Sequence, residues 1–199
     1  MKSAAIIRHS MLNRLVIYLC ISAIGLIGCQ QEIPSDPACR VKEQEKPKTI
    51  ANAACIIRLD DQLLTVTHRM TGRFDVPGGT TDMSESSQCT AHREVWEETG
   101  FNVEVGEWLA TSTQGMRFYS CKLAGHFDGE LQTFPVPPWS TTEIDGIQLL
   151  DPFAISDKDW RFPNQLPLIR DMFNQVEDSA QPSKKHPAEE LLPRPVPES

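Results

Sequence analysis

The segment GTTDMSESSQCTAHREVWEETGF, residues 79–101, is the most informative part of this chain. Its second half predicts a helix over residues 86–99, because serines near its start can cap the first turn and Gly100 can end the last one. Ala91 and Val95 lie on one stripe of this helix, so we expect them to pack against a sheet.

The adjoining stripe of the helix is acidic. With about 3.6 residues per turn, Glu94, Glu97 and Glu98 are neighbours on one face. Two like charges at 4 Å repel by roughly 4 kcal/mol at an effective dielectric of 20, and negative charge near a helix C-terminus is also disfavoured. Solvent and Arg93 could screen such a face, or Mg²⁺ or Mn²⁺ could bind it, because these hard cations prefer carboxylate oxygens. The helix alone is compatible with both explanations.

The spacing across the whole segment separates the two explanations. Gly79 is followed by five residues and Glu85, and after seven more residues by the run REVWEETGF, residues 93–101. This pattern resembles the Nudix box at each of its nine specified positions. The resemblance implies an α/β fold, a Nudix-type α/β/α sandwich with a mixed β-sheet between helices, over residues 51–177. It also implies a hydrolase that uses metal-activated water to cleave a diphosphate linkage in a nucleoside diphosphate-X or related small molecule.

The resemblance assigns the metal-binding positions. It implies Glu97 and Glu98 as the principal ligands of Mg²⁺ or Mn²⁺. Glu94 would be a further ligand or the carboxylate that orients the attacking water, and the Gly78 carbonyl would be a ligand from the preceding loop. In such a site the metal neutralises charge on the diphosphate oxygens and lowers the pKa of the attacking water.

Four other positions of the pattern have supporting roles by the same resemblance. Arg93 would pair with a carboxylate of the catalytic set and hold the helix against the loop, with Glu85 as a second structural residue. Gly79 and Gly100 would supply turns, since glycine adopts backbone conformations that other residues avoid.

The general base varies within this family, and some members use a glutamate far beyond the box. Glu143, in the stretch Thr141–Ile144, is the first candidate here and Glu130 the second. An ordinary exposed loop carboxylate explains Glu143 equally well, so the sequence leaves its role open.

Substrate contacts are harder to predict, because they lie outside the box. Arg58, Arg69 and Arg73 precede it and could bind phosphate. Tyr119 lies 18 residues after Phe101, a spacing that resembles dinucleoside polyphosphate hydrolases. A solvated arginine or a packed tyrosine is the alternative at each of these positions.

The N-terminal segment predicts export and lipid anchoring. Residues 1–28 combine a basic start with the apolar run Leu15–Ile27, which is short for a membrane-spanning helix and fits a signal peptide. The end of this run, Leu26–Cys29, resembles the lipobox of bacterial lipoproteins, which implies acylation of Cys29 and attachment to a bacterial envelope membrane. Gln30 after the cysteine favours the outer membrane, facing the periplasm. An uncleaved anchor or an ordinary signal peptide is the alternative.

Regular elements are expected only in the central part of the chain. Residues 29–50 are predicted to form a flexible tether, and the proline-rich residues 178–199 a disordered tail. Between them, periodicity and turn signals predict five strands and a second helix. These are Ala53–Leu59, Leu63–Thr67, Phe101–Val105, Trp108–Thr113 and Arg117–Leu123, followed by the helix Phe162–Val176.

Four cysteines remain after the signal segment and Cys29: Cys39, Cys55, Cys89 and Cys121. Three pairings are possible, and the sequence does not choose among them. We expect one disulfide and otherwise buried thiols. No CxxC spacing is present, which argues against a zinc site.

Charge and motif completeness limit the function classes. The formal net charge of -8 argues against binding of a nucleic-acid polymer, which needs a basic surface. One alternative to the hydrolase is a non-catalytic ligand-binding or sensor module with the same fold, although the box keeps all of its glutamates. Another is an isoprenoid diphosphate isomerase, which would also need a catalytic cysteine.

Overall fold

The computed structural model describes residues 34–82, 84–124 and 131–176. The predicted signal peptide, Cys29, Glu130 and the tail 178–199 lie outside the described residues. Among the helices within the described ranges, none has the length and apolar character needed to cross a membrane.

Nine strands and two α-helices form in the part of the chain that the structure describes. The strands are β1 (Ala53–Ile56), β2 (Arg58–Leu59), β3 (Gln62–His68), β4 (Arg73–Asp75), β5 (Gly78–Gly79), β6 (Val103–Thr111), β7 (Arg117–Leu123), β8 (Thr133–Phe134) and β9 (Ile144–Leu150). The helices are α1 (Ser87–Thr99) and α2 (Leu166–Gln175).

The strands form two sheets, and one of them is mixed, as expected. The first sheet has the order β5-β1-β7-β6 and is mixed, because β1 and β7 are parallel while the other pairs are antiparallel. The second sheet has the order β2-β3-β9-β8, with β4 also paired to β3, and is antiparallel throughout. The apolar run 53–59 supplies a strand to each sheet, since β1 belongs to the first and β2 to the second.

The burial of β1 explains the layered architecture. Successive side chains of a strand point to opposite faces of its sheet. Ala53 and Cys55 pack in the core that contains α1, whereas Ala54 and Ile56 pack in the core that contains α2. Both faces of this strand are therefore covered by a helix, which confirms the α/β/α sandwich.

Helix α1 has the boundaries that its capping residues predict. The Ser86 hydroxyl accepts a hydrogen bond from the Cys89 amide at 3.3 Å. Gly100 ends the helix in the left-handed conformation, with φ 72°, and its amide donates to the Trp96 carbonyl. Ala91 and Val95 are fully buried, as expected for the stripe that faces the sheet.

Two predicted boundaries are wrong. Helix α2 begins at Leu166 rather than Phe162, since the proline at position 163 disfavours helical geometry at the residue before it and a short 3-10 helix follows over Pro163–Gln165. The strands predicted over residues 101–105 and 108–113 are one irregular strand, β6, whose register shifts between Val105 and Ala110.

The expectation of one disulfide is also wrong, because the structure contains two. Cys39 bonds to Cys89, which joins the N-terminal segment to α1, and Cys55 bonds to Cys121 between the adjacent strands β1 and β7. The pairing depends on which strands are neighbours, and the spacing of the cysteines does not encode that.

The flexible tether predicted for residues 29–50 is wrong for its second half. Val41 forms a parallel β-bridge with Val105, and the Lys42 amide donates to the Val105 carbonyl at 2.8 Å. The Glu45 carboxylate pairs with Arg117 at 2.7 Å. Residues 39–49 therefore pack against the domain, because the open edge of β6 offers backbone partners to a polar segment.

Candidate active site

An open cavity of about 480 Å³ lies beside the C-terminal half of α1. The helix contributes Glu94, Glu97 and Glu98 to its wall. The other described walls come from the β3–β4 turn, the loop around β5, the residues before β9 and the segment before α2.

Glu98 is the most deeply buried of these carboxylates, with 5% of its surface exposed. Burial raises its pKa well above the ordinary value, although a hydrogen bond from the Gly78 amide to Oε2 at 2.9 Å acts in the opposite direction. The nearby charges of Glu94 and Asp75 raise the pKa further. The site therefore holds a carboxylate whose negative charge is only partly compensated by the protein.

Glu94 lies in a comparable environment. Burial raises its pKa to about 7, and the salt bridge from Arg93 at 2.8 Å offsets only part of that effect. Its carboxylate packs directly against Gly79, where an added Cβ would lie 2.5 Å from Oε2. Gly79 therefore provides space for Glu94 as part of β5 rather than the turn that we expected.

Arg93 links the helix to the loop, as predicted. Its guanidinium donates to Glu85 and to Glu97 Oε2, each at 2.8 Å, and to the Thr80 carbonyl at 2.7 Å. Glu97 is more exposed than the other two helix carboxylates, and burial raises its pKa. One arginine thus orients two of the three carboxylates of the acidic face, Glu94 and Glu97.

Glu143 lies in the same cavity, directly before the first residue of β9. Its charge contributes to the raised pKa values of Glu94 and Glu98. The loop that carries it is attached to the end of α1, because the Ser140 hydroxyl donates to the Glu98 carbonyl at 3.0 Å. An exposed loop carboxylate far along the sequence is thereby brought to the box residues.

The predicted substrate residues do not reach the cavity. Arg58 pairs with Asp61 and stacks over the Phe173 ring on the α2 side. Arg69 pairs with Asp145 at 2.6 Å outside the cavity wall.

Tyr119 is fully buried, and its hydroxyl is 2.7 Å from the Ser87 hydroxyl near the start of α1. The packing alternative therefore holds for Tyr119. Arg73 is exposed and does not line the cavity either.

Sequence analysis missed three residues at the cavity. Arg161 and His68 line it, and Arg161 NH1 donates to His68 Nε2 at 2.7 Å. Asp75 lies behind them, 3.6 Å from Arg161, and burial raises its pKa to about 6. The position of Asp75 just before the loop to Gly78 was a usable signal, but no pattern pointed to Arg161 or His68.

The donor set fits a hard divalent cation by its chemistry. Three buried or half-buried carboxylates share one cavity wall. A bound cation would offset the free-energy cost of burying the negative charges of Glu94 and Glu98. Within the described residues, no three acidic, histidine or cysteine side chains are already grouped closely enough to enclose a metal. The structure therefore shows the donors without a closed ligand cage.

Comparison with known families agrees with this geometry. The model of the NUDIX domain matches residues 48–172, which is more than half of the chain. The chain belongs to the NUDIX family. It is a Nudix hydrolase by family, and members of this family generally use divalent metals.

Individual relatives are distant. A MutT-like protein from Streptomyces ambofaciens is 28% identical over 112 residues, covering 54% of this chain and 73% of the relative. The solved structure of a UDP-X diphosphatase has a TM-score of 0.50 and 18% identity, with 66% of each chain covered. A Nudix hydrolase from Nitrosomonas europaea has a TM-score of 0.48 and 20% identity, covering 67% of this chain and 77% of its own. The match to the diphosphatase spans just under two thirds of that protein and supports the fold alone.

Proposed function

We propose that this Nudix hydrolase uses Mg²⁺ or Mn²⁺ to cleave a diphosphate linkage in a nucleoside diphosphate-X or a related small molecule. The convergence of Glu94, Glu97, Glu98 and Glu143 on one cavity carries the proposal. A cluster of carboxylates beside an open cavity suits hydrolysis of an anionic substrate only when cations balance the charge.

Each box residue has a distinct task in this proposal. Glu97 and Glu98 would hold the metal, with Glu94 and the Gly78 carbonyl as further ligands. A bound divalent cation would neutralise charge on the diphosphate oxygens and lower the pKa of the attacking water. Arg93 keeps Glu94 and Glu97 oriented, because its guanidinium contacts both carboxylates at 2.8 Å.

Glu143 is the proposed acceptor for the proton of the water. It lines the same cavity but lies outside α1. It can therefore accept a proton while the carboxylates of the box hold the metal. A P–O bond forms to the water oxygen while the bridging P–O bond breaks. The products are two phosphate-terminated fragments, and the proton passes to Glu143.

We also propose the substrate class, a nucleoside diphosphate that carries a second group. The solved structure with a TM-score of 0.50 is a UDP-X diphosphatase, and another fold neighbour is an ADP-ribose pyrophosphatase. Nucleoside diphosphates that carry a second group are therefore the first compounds to test, followed by dinucleoside polyphosphates, nucleoside triphosphates and prenyl diphosphates.

The test is metal-dependent product release by the purified protein. We expect phosphate-terminated products with Mg²⁺ or Mn²⁺, none with a chelator, and a loss of several orders of magnitude in Glu98→Gln. Glu107→Gln is the matched control, because Glu107 is an exposed glutamate on β6, away from the cavity. Equal turnover in Glu98→Gln and the native protein would refute the proposal. Metal-dependent ligand binding without any turnover would favour the sensor alternative.

We further propose that the domain is lipid-anchored through Cys29 in a bacterial envelope, at the outer membrane and facing the periplasm. The lipobox-like residues 26–29 support this, and two disulfides suit an oxidising compartment. Cys29→Ser should move the protein from the membrane fraction to the soluble fraction, whereas Cys20→Ser should leave it attached. Retention of Cys29→Ser in the membrane would contradict the anchor.

A further inference from the structure

The charge distribution of the cavity is one-sided. Glu94, Glu97, Glu98 and Glu143 all contribute carboxylates to its wall. Among the described residues that line it, Arg161 alone carries a permanent positive charge. A diphosphate that enters this cavity meets acidic residues along α1 and a single guanidinium on the segment before α2.

The other arginines near the cavity are already engaged. Arg93 contacts Glu85, Glu97 and the Thr80 carbonyl, which uses all three of its guanidinium nitrogens. Arg69 pairs with Asp145 outside the wall. In the described contacts Arg161 donates a hydrogen bond from one guanidinium nitrogen, NH1, so its remaining N–H groups can serve a ligand.

The Arg161 side chain is fixed before any ligand arrives. Its amide donates to the Phe74 carbonyl at 2.8 Å, and its guanidinium lies 5.1 Å from the centre of the Phe162 ring. The bond to His68 Nε2 has only one possible direction, because arginine has donors and no acceptor. His68 must therefore be neutral, which agrees with a pKa that burial and the charge of Arg161 lower to about 4.

We propose that Arg161 binds a phosphate oxygen of the diphosphate substrate, and that His68 positions the Arg161 guanidinium for this contact. The inference rests on the proposed hydrolase function and adds a substrate-binding residue outside the box. The guanidinium is suited to the task because its planar, always-charged donors form strong hydrogen bonds with phosphate oxygens. Asp75 lies 3.6 Å from the same guanidinium nitrogen, NH1, that contacts His68, so both residues hold this end of the guanidinium.

Binding of a substrate analogue tests this without turnover. The probe is methylenediphosphonate, whose carbon bridge resists hydrolysis, titrated calorimetrically in the presence of Mg²⁺. Loss of a charged hydrogen bond should weaken its affinity in Arg161→Gln by about 10- to 100-fold. Arg161→Lys should retain part of the affinity, since the charge remains and the fork geometry does not. The matched control Arg69→Gln should bind the probe as the native protein does.

The role of His68 needs a measurement that a purely structural residue would not affect. His68→Phe removes the acceptor and should raise KM more than it lowers kcat. His68→Gln supplies an amide oxygen in its place and should restore most of the native KM. Equal KM values in the native protein and in His68→Phe would overturn the positioning role.

Failure of this inference and failure of the hydrolase proposal give different results. Probe affinity in Arg161→Gln within about twofold of the native value would overturn the inference alone. If that variant does not fold, unchanged probe affinity in both Arg161→Lys and His68→Phe overturns it instead. Full turnover in Glu98→Gln would refute the hydrolase mechanism, whereas the diphosphonate titration would still decide the role of Arg161.

Discussion

Glu98 Oε2 accepts a hydrogen bond from the Gly78 amide at 2.9 Å, which joins the acidic helix to the loop before it. The two residues are 20 positions apart, and Glu98 is almost completely buried at this contact. A carboxylate in such a place is stabilised by the amide but still lacks a full counter-charge. This hydrogen bond makes the loop and the helix one structural unit.

The two loop glycines should respond differently to alanine. A Cβ at Gly79 would lie 2.5 Å from the Glu94 carboxylate, whereas one at Gly78 would overlap the Ala54 side chain and backbone in β1. Gly79→Ala should therefore lower kcat strongly with a small change in thermal stability. Gly78→Ala should lower the free energy of unfolding by about 1–3 kcal/mol through overpacking.

Thermal unfolding and steady-state kinetics on the two glycine variants check this pair. Equal loss of stability in both variants would contradict this prediction, because it would show that the Glu94 carboxylate does not move aside for a Cβ at position 79.

Ser140→Ala should reduce both stability and turnover. The Ser140 hydroxyl is buried and donates to the Glu98 carbonyl, so its loss should cost about 1 kcal/mol of unfolding free energy. It should also weaken the attachment of the loop that holds Glu143 beside α1, leaving the contact of the Trp139 indole N–H with the Glu97 carbonyl. Thr141→Ala is the control, because the Thr141 hydroxyl contacts only the exposed Pro138 carbonyl of the same loop. Chemical denaturation and kcat are the measurements, and equal kcat values for Ser140→Ala and the native protein would contradict this role.

Added Mg²⁺ or Mn²⁺ should raise the melting temperature. Burial raises the pKa values of Glu94 and Glu98, so a cation that binds these carboxylates stabilises the folded state over the unfolded one. At a metal concentration of about 100 times Kd, linkage predicts a gain of about 2.7 kcal/mol. Differential scanning fluorimetry with and without a chelator measures the shift. Glu98→Gln should show much less of it, and a shift of native size in that variant would exclude Glu98 as a ligand.

Acid should destabilise the fold through His68. Its pKa is lowered from 6.5 to about 4 in the folded protein, so the contribution to stability is complete above pH 6.5 and is lost as the pH falls towards 4. A pKa shift of this size corresponds to about 3 kcal/mol of unfolding free energy. Asp75 has the opposite effect on the pH dependence of stability. Burial raises its pKa to about 6, so its protonation at low pH favours the folded state.

Comparison of the native protein with His68→Gln isolates the histidine, since Asp75 is present in both. The difference between their unfolding free energies should change by about 3 kcal/mol between pH 7 and pH 4. Parallel pH profiles for the two proteins would show that His68 does not titrate differently in the folded and unfolded states.

The sequence was sufficient for the local elements. Ser86 and Gly100 marked the ends of α1 within one residue, because capping depends on nearby backbone groups. Glu143 was the first candidate base because some members of the resembled family use a glutamate far beyond the box, and the structure brings it into the cavity. The sequence did not predict Arg161, which meets His68 across 93 positions of the chain.

The errors share a physical cause. Tyr119 and the arginines at positions 58 and 69 were plausible substrate residues until the packing of the strands placed them elsewhere. The segment 39–49 looked like a linker because its residues are polar, yet it finds backbone partners along β6. The exposure of a side chain and its bonding partners depend on its neighbours in space, and composition does not predict these neighbours.

The sequence by itself determined the acidic face of α1, because helical periodicity fixes the relative positions of residues 94, 97 and 98 within one element. Together with the spacing to Gly79, that face gave the resemblance to the family, and the match over residues 48–172 shows that the chain belongs to it. The tertiary structure alone decided which distant groups complete the cavity. Glu143 and Arg161 reach it through the way that the loop before β9 and the segment before α2 pack against α1 and β3. Such contacts depend on how two sheets and two helices bury their apolar faces together, and no local pattern encodes that packing.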